Sequence, residues 1–317
     1  MGRVGWACPL LAATLLLAAC EHAPDLAAAR ARAAEPVQRY DTIQALAGDA
    51  TLVVAGTQSG AVLRSTDQGT RWTRTALAGA SLIGLERCRD GSFIALDFYH
   101  RVWSAPADAG RWTAHALKDP ANPLAIHCDP LGRWWVAGSR ATLAVSADQG
   151  ESWQLTSLKE DTQITTLQFV DARHGFALGE FGTVLESGDG GASWQRLAKI
   201  EGDFYPYAAW FRDGREGYAS GLAGTMLATH DGGHHWVRED NASGAALYRL
   251  FVHGDEVWAA GANGTLARHA GAGWVAVARP QGSPAPLFAA TSAGSVVLSG
   301  GPGGLLQVVH PTTQQGS

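Results

Sequence analysis

Four times the chain sets a hydroxyl, a carboxylate, a glycine and a tryptophan at one spacing, S/T-x-D-x-G-x-x-W. The copies are Ser65, Asp67, Gly69 and Trp72; Ser146, Asp148, Gly150 and Trp153; Ser187, Asp189, Gly191 and Trp194; and Thr229, Asp231, Gly233 and Trp236. Carboxylates of this kind have two uses. Paired across a cleft they cleave glycosidic bonds; alone in a bend they accept hydrogen bonds from free backbone N–H groups. The spacing favours the bend. Glycine next to the acid permits positive φ, and Thr183-Val184-Leu185-Glu186 before it alternates as a half-buried strand does. The repeated residues are therefore expected to stabilise turns and to carry no catalysis. His230, His234 and His235 fall in one such turn, but no fourth zinc ligand stands near them. No metal and no cofactor are expected.

The elements that hold these turns repeat as well. Trp72, Trp112, Trp153, Trp194, Trp236 and Trp274 recur at about forty residues, a period that in a strand- and glycine-rich chain denotes propeller blades. Each unit reads as four strands, with the Asp turn between the third and fourth. Unit two is the most divergent, with Asp97-Phe98-Tyr99-His100-Arg101 where other units have a glycine-rich turn. A seventh unit, SVVLSGGPGGLLQVV, stops without a Trp strand. The expected fold is all-β, a seven-bladed β-propeller of four-stranded antiparallel blades, with six blades the alternative if unit two is an insertion. Residues 37–41 are placed to close the last blade as its fourth strand, leaving no unpaired edge.

Antiparallel strands send successive turns to alternate ends. The Asp turns share one end with the turns joining first and second strands. The other end carries Tyr99, His100 and Arg101, Arg140, Glu180 and Phe181, and the long connection that includes Glu201, Asp203, Phe204, Tyr205 and Tyr207. Aromatics beside charges suit a protein-binding surface, so Tyr99, His100, Arg101, Arg140, Glu180, Phe181, Tyr205 and Tyr207 are the candidate partner-binding residues. Phe204 or Tyr207 could instead begin a buried inner strand.

The N-terminus carries a separate message. Arg3 precedes an apolar run, too short to span a bilayer comfortably, that ends in Leu17-Ala18-Ala19-Cys20. This resembles a lipobox, with Cys20 the lipidated residue. The expected organisation is a leader over 1–20, a flexible tether over 21–36 and one propeller over 37–317. The protein is expected to be exported and lipid-anchored at the envelope, on the outer membrane facing the periplasm, as a monomer. A net charge of −5 argues against nucleic acid as the main partner. Cys88 and Cys128 remain after the leader; they occupy equivalent positions in adjacent units and could form a disulfide if their Cα atoms lie within about 7 Å.

GEFGTVLESGDGGASW and GLAGTMLATHDGGHHW, at their spacing, resemble the BNR/Asp-box propellers of the photosystem II stability and assembly factor type. The resemblance covers nearly all of the chain after the tether and is strongest at units four and five. It implies a seven-bladed propeller that helps membrane-protein complexes assemble, without enzymatic activity, by binding a membrane protein or envelope complex. Family members hold their partner through an arginine-rich patch; Arg101, Arg140, Arg212 and Arg215 correspond by location only. Sialidases also carry Asp boxes, and the alternative is a glycoside hydrolase of that type or a passive ligand-binding propeller. The sialidase pattern requires an Arg-Ile-Pro segment, which is absent from the sequence, and a Tyr nucleophile with an acidic partner, for which Tyr205 and Glu201 are the nearest match.

Overall fold

The structure, a computed structural model, describes residue 2 and residues 26–271, 273–278 and 283–311. Cys20 and the apolar leader lie outside the described residues. The chain divides into Met1–Glu35 and Pro36–Ser317. In the first unit Leu26–Ala34 is an α-helix, where the composition suggested an unstructured tether. Its alanine, leucine and arginine are the strongest helix formers. No described helix is long and apolar enough to cross a membrane.

The second unit is all-β and propeller-like. Its described strands form four sheets of four strands, one of eight and one of three. The eight-stranded sheet joins units five and six through a parallel pairing of Asp240 and Asn241 with Gly273 and Trp274. Within each unit the strands follow in chain order and pair antiparallel. Second strands such as Val53–Thr57, Trp134–Gly138 and Gly175–Gly179 are buried along their whole length, which is why they are mostly apolar. The first strands lie innermost: Ile43–Gly48, Leu82–Arg87, Pro123–Cys128, Ile164–Phe169, Pro206–Phe211, Leu247–His253 and Ala289–Ala293. Each packs beside the next, and the last packs beside the first.

The tryptophan period has its cause in the core. Trp72, Trp112, Trp153, Trp194, Trp236 and Trp274 each enter the apolar cluster between their own unit and the preceding one. Trp194, for instance, meets Trp135 of unit three at 6.0 Å between ring centres and Phe169 at 5.7 Å. The cluster containing Trp72 joins Ile43, Val53 and Leu63 to Ala289, Val296 and Leu298, so apolar packing binds the first unit to the last.

That junction corrects one expectation. Residues 37–41 do not add a strand; they form a turn. Asp41, fully buried, accepts the Gln38 N–H at 2.8 Å and the Ser59 hydroxyl at 2.6 Å. Arg74 grips its two oxygens at 2.7 and 3.0 Å. A carboxylate satisfied this way bends the segment, and an extended ladder would strand it. The termini still meet, through Ile43 N–H on the Gly301 carbonyl and Gly304 N–H on the Asp41 carbonyl. Cys88 and Cys128 form a disulfide, with Cα atoms 5.4 Å apart, tying the inner strands of units two and three.

Candidate functional site

The four Asp turns share one geometry. In unit four the Ser187 hydroxyl donates to Asp189 Oδ1 at 2.9 Å and accepts the Gly191 N–H at 2.7 Å. The Ser193 N–H and hydroxyl then donate to the same carboxylate at 2.9 and 2.6 Å. Units one, three and five repeat the Ser/Thr–Asp and Ser/Thr–Gly bonds. The Ser193 hydroxyl and N–H bring Asp189 down to about 2, and those of Ser152 do the same for Asp148. Asp67 sits at about 2 through the Arg71 N–H and guanidinium. For Asp231 burial pulls upward, but the His235 N–H and ring outweigh it, again giving about 2.

These depressed values set a pH dependence. A carboxylate whose folded pKa lies below its unfolded value of 3.8 contributes stability above that value and loses it as pH falls through the folded one. The melting temperature should therefore hold from about pH 7 to 5 and fall steeply between about 4 and 2. Asp148→Asn with Asp189→Asn should flatten that fall. An unchanged acid slope in the double variant would remove the Asp turns as its cause.

The Asp turns lie at the end of the first-to-second-strand turns: Gly190 N–H donates to the Arg173 carbonyl and Gly232 N–H to that of Arg215, both at 2.8 Å. At the opposite end the turns between second and third strands bond to the connections between units. Phe98 N–H reaches Ser81 O, Ala141 N–H reaches Thr162 O, and Gly182 N–H reaches Phe204 O, at 2.7–2.8 Å. Gly182 is required there, because a Cβ would sit 2.1 Å from the Ile200 carbonyl oxygen.

The candidate residues at this end divide. Tyr99 is 60% and Phe181 53% exposed, and Arg140 is exposed too. Phe98 beside Tyr99 and Leu222 in unit five are 65% and 51% exposed, so a crest runs Phe98, Tyr99, Arg140, Phe181, Leu222 across four consecutive units. Sequence reasoning missed Leu222, whose signal is a large apolar residue at the position of Glu180. The middle residue of these turns lies in the left-handed region: His100, Arg140, Phe181, Ala223 and Asn263 have φ between 53° and 61°. Asn tolerates that conformation; an exposed phenylalanine does so at a cost of about 1–2 kcal/mol.

Other candidates are committed within the fold. The Glu180 carboxylate accepts the Gln163 N–H and side-chain amide at 3.0 and 3.1 Å. Phe204 is buried, and Tyr207 lies in the inner strand Pro206–Phe211, facing a central channel. Tyr205 is half-buried, and burial, Glu180 and Tyr207 together push its phenol up, opposite to the shift an activated phenolate nucleophile needs.

Arg101 is also committed, through a device the sequence reading overlooked. Asp97, fully buried, accepts Tyr99 N–H at 2.8 Å, Arg101 N–H at 3.0 Å, Arg101 Nε at 2.7 Å and Trp103 Nε1 at 2.9 Å. Arg101 also donates to the Gly79 carbonyl and lies 5.1 Å from the Trp103 ring. Asp129, Arg133 and Trp135 repeat the arrangement. The signal was present: D-x-x-x-R-x-W occurs at 97–103 and again at 129–135.

The family described as photosynthesis system II assembly factor YCF48 matches twice, over residues 102–186 and 151–238. The middle repeats are thus similar to those of the Ycf48 family. The Ycf48 lipoprotein of Prochlorococcus marinus is 27% identical over 191 residues, 43% of this chain and 56% of the relative. The Ycf48 protein of Thermosynechococcus vestitus is 33% identical over 61 residues, 19% and 18% of the two chains. The chain thus spans about half or less of the Ycf48 relatives it matches in sequence. YCF48 from Cyanidioschyzon merolae superimposes with a TM-score of 0.58 at 17% identity, covering 70% of this chain and 80% of its own. A YCF48 bound to D1 peptide gives 0.60 at 15%, covering 73% and 78%. Virginiamycin B lyase from Staphylococcus aureus gives 0.72 at 10%, covering 84% and 94%. At these identities the Ycf48-type and lyase structures alike support the propeller-like fold alone.

Proposed function

We propose that this chain is a non-enzymatic assembly factor that holds a membrane protein or envelope complex against the end of a seven-bladed propeller opposite its Asp boxes. The observation that carries the reading is the exposed crest of Phe98, Tyr99, Phe181 and Leu222, with Phe181 kept in a costly backbone conformation. The repeated turn imposes that conformation in five units; a large aromatic ring left exposed on it suits a protein-binding surface. Support comes from the relatives, which are named as photosystem II assembly proteins or lipoproteins, and from the related protein described as bound to D1 peptide. Seven first strands, the last packed beside the first, support the reading of seven blades. Cys20 is the proposed lipid anchor, holding the propeller at the outer membrane on its periplasmic side.

Crosslinking of the tagged, membrane-localised protein followed by mass spectrometry tests the reading. A membrane protein should be captured reproducibly, and Tyr99→Ala with Leu222→Ala should reduce its yield at unchanged melting temperature. Equal capture by the double variant would displace the docking surface from this end.

A further inference from the structure

The inner strands share an irregularity. A register shift falls after the first residue of six of them, between Ile43 and Ala45, Leu82 and Gly84, Pro123 and Ala125, Ile164 and Thr166, Pro206 and Ala208, and Leu247 and Arg249. The residue after each shift lines one central channel of about 390 Å³. Among its lining residues are Ala45, Gly84, Ala125, Thr166, Ala208 and Ala289, all small, and Arg249. One long cation thus lines the channel where the other inner strands carry small residues.

Arg249 is reached by water along the channel and enclosed by strands around it. Among the described residues its side chain has no hydrogen bond and no ion pair. Burial lowers its proton affinity and the field of Glu86 raises it, yet a guanidinium stays charged under either influence. Glu86 is already occupied: its carboxylate accepts His127 Nδ1 at 2.9 Å and the Cys128 N–H at 3.2 Å. The next level outward is aromatic. Tyr207 meets Tyr248 at 5.1 Å, and Tyr248 meets Phe288 at 5.9 Å; all three line the channel.

We propose that the channel is a binding site for a small carboxylate with a flat apolar or aromatic body, its carboxylate paired with Arg249 and its body against Tyr207, Tyr248 and Phe288. The guanidinium fork matches a carboxylate bidentately. A single Arg with Glu86 in the same channel provides too little positive field for a dianion, so a monoanion is selected over phosphate. The volume lies within the range of small-molecule pockets, roughly 300–1,000 Å³. This site does not depend on the docking surface proposed above, since no residue of the exposed crest contributes to it.

Calorimetric titration of the exported protein with 4-hydroxyphenylacetate, its neutral amide and inorganic phosphate tests the assignment. The carboxylate should bind with a Kd of about 1 mM or tighter, and the amide at least about tenfold more weakly. Arg249→Met should remove binding at unchanged melting temperature, while Arg249→Lys should retain part of it. Any of four results overturns the proposal: no binding of the carboxylate, equal binding of the amide, tighter binding of phosphate, or undiminished binding by a folded Arg249→Met protein.

Discussion

Asp97→Ala should lower the unfolding free energy by about 3 kcal/mol, the lower edge of what removing one partner from a buried ion pair costs. The substitution deletes the acceptor of four donors at once. Tyr99 N–H and Arg101 N–H lose the bonds that close their turn, and Trp103 Nε1 is left in a buried position without its partner. Arg101, with 27% of its side chain exposed, recovers some water, which keeps the cost at that lower edge. Denaturant unfolding of the two proteins measures the difference. Adding Arg101→Met to Asp97→Ala should restore part of the loss, because the stranded cation goes with it. A loss under about 1 kcal/mol, or no recovery in the double variant, would show that Asp97 does not organise this turn.

Asp129→Ala offers the same test at the other end of the molecule, since Asp129 holds Arg133 and Trp135 at nearly the same distances. These two carboxylates and the Asp-turn carboxylates show what the sequence made legible. Asp189 announces itself through its neighbours: Ser187, Gly191 and Trp194 stand within a few residues and recur elsewhere, and its side-chain bonds to Ser187 and Ser193 are local. Asp97 satisfies partners as local as these, but its motif occurs only twice and in two different turns of the unit. The forty-residue tryptophan period exposed the units because each tryptophan serves the same junction with the unit before it.

What was hidden depended on register or on distant parts of the chain. Alternation alone does not say which residue of Leu247-Tyr248-Arg249 enters the channel; the irregularity between Leu247 and Arg249 decides that. The segment at 37–41 read as a strand because the last unit needed one. Its actual form is set by Arg74, more than thirty residues away, gripping Asp41. The sequence likewise left open whether Phe204 or Tyr207 begins an inner strand; Tyr207 lies in that strand and lines the channel, and Phe204 is buried just before it.

Phe181→Gly should separate stability from capture. In the present structure Phe181 has φ 57° and is 53% exposed, so its ring gains little from burial while its backbone carries the left-handed cost of about 1–2 kcal/mol. Glycine removes that cost and returns roughly 0.5–1 kcal/mol as extra freedom of the unfolded chain. The net expectation is a protein more stable by roughly 0.5–1 kcal/mol. Binding should move the other way. An aromatic buried at the centre of an interface costs about 2 kcal/mol or more when truncated, close to a thirtyfold loss of affinity for the captured membrane protein. Phe181→Ala should lose the same affinity without the gain in stability, because alanine keeps the strained φ. Unfolding curves and binding isotherms on the three proteins together decide the matter. Lower stability in the glycine variant would mean that the phenyl ring supports the fold, and undiminished binding would mean that this turn does not meet the partner.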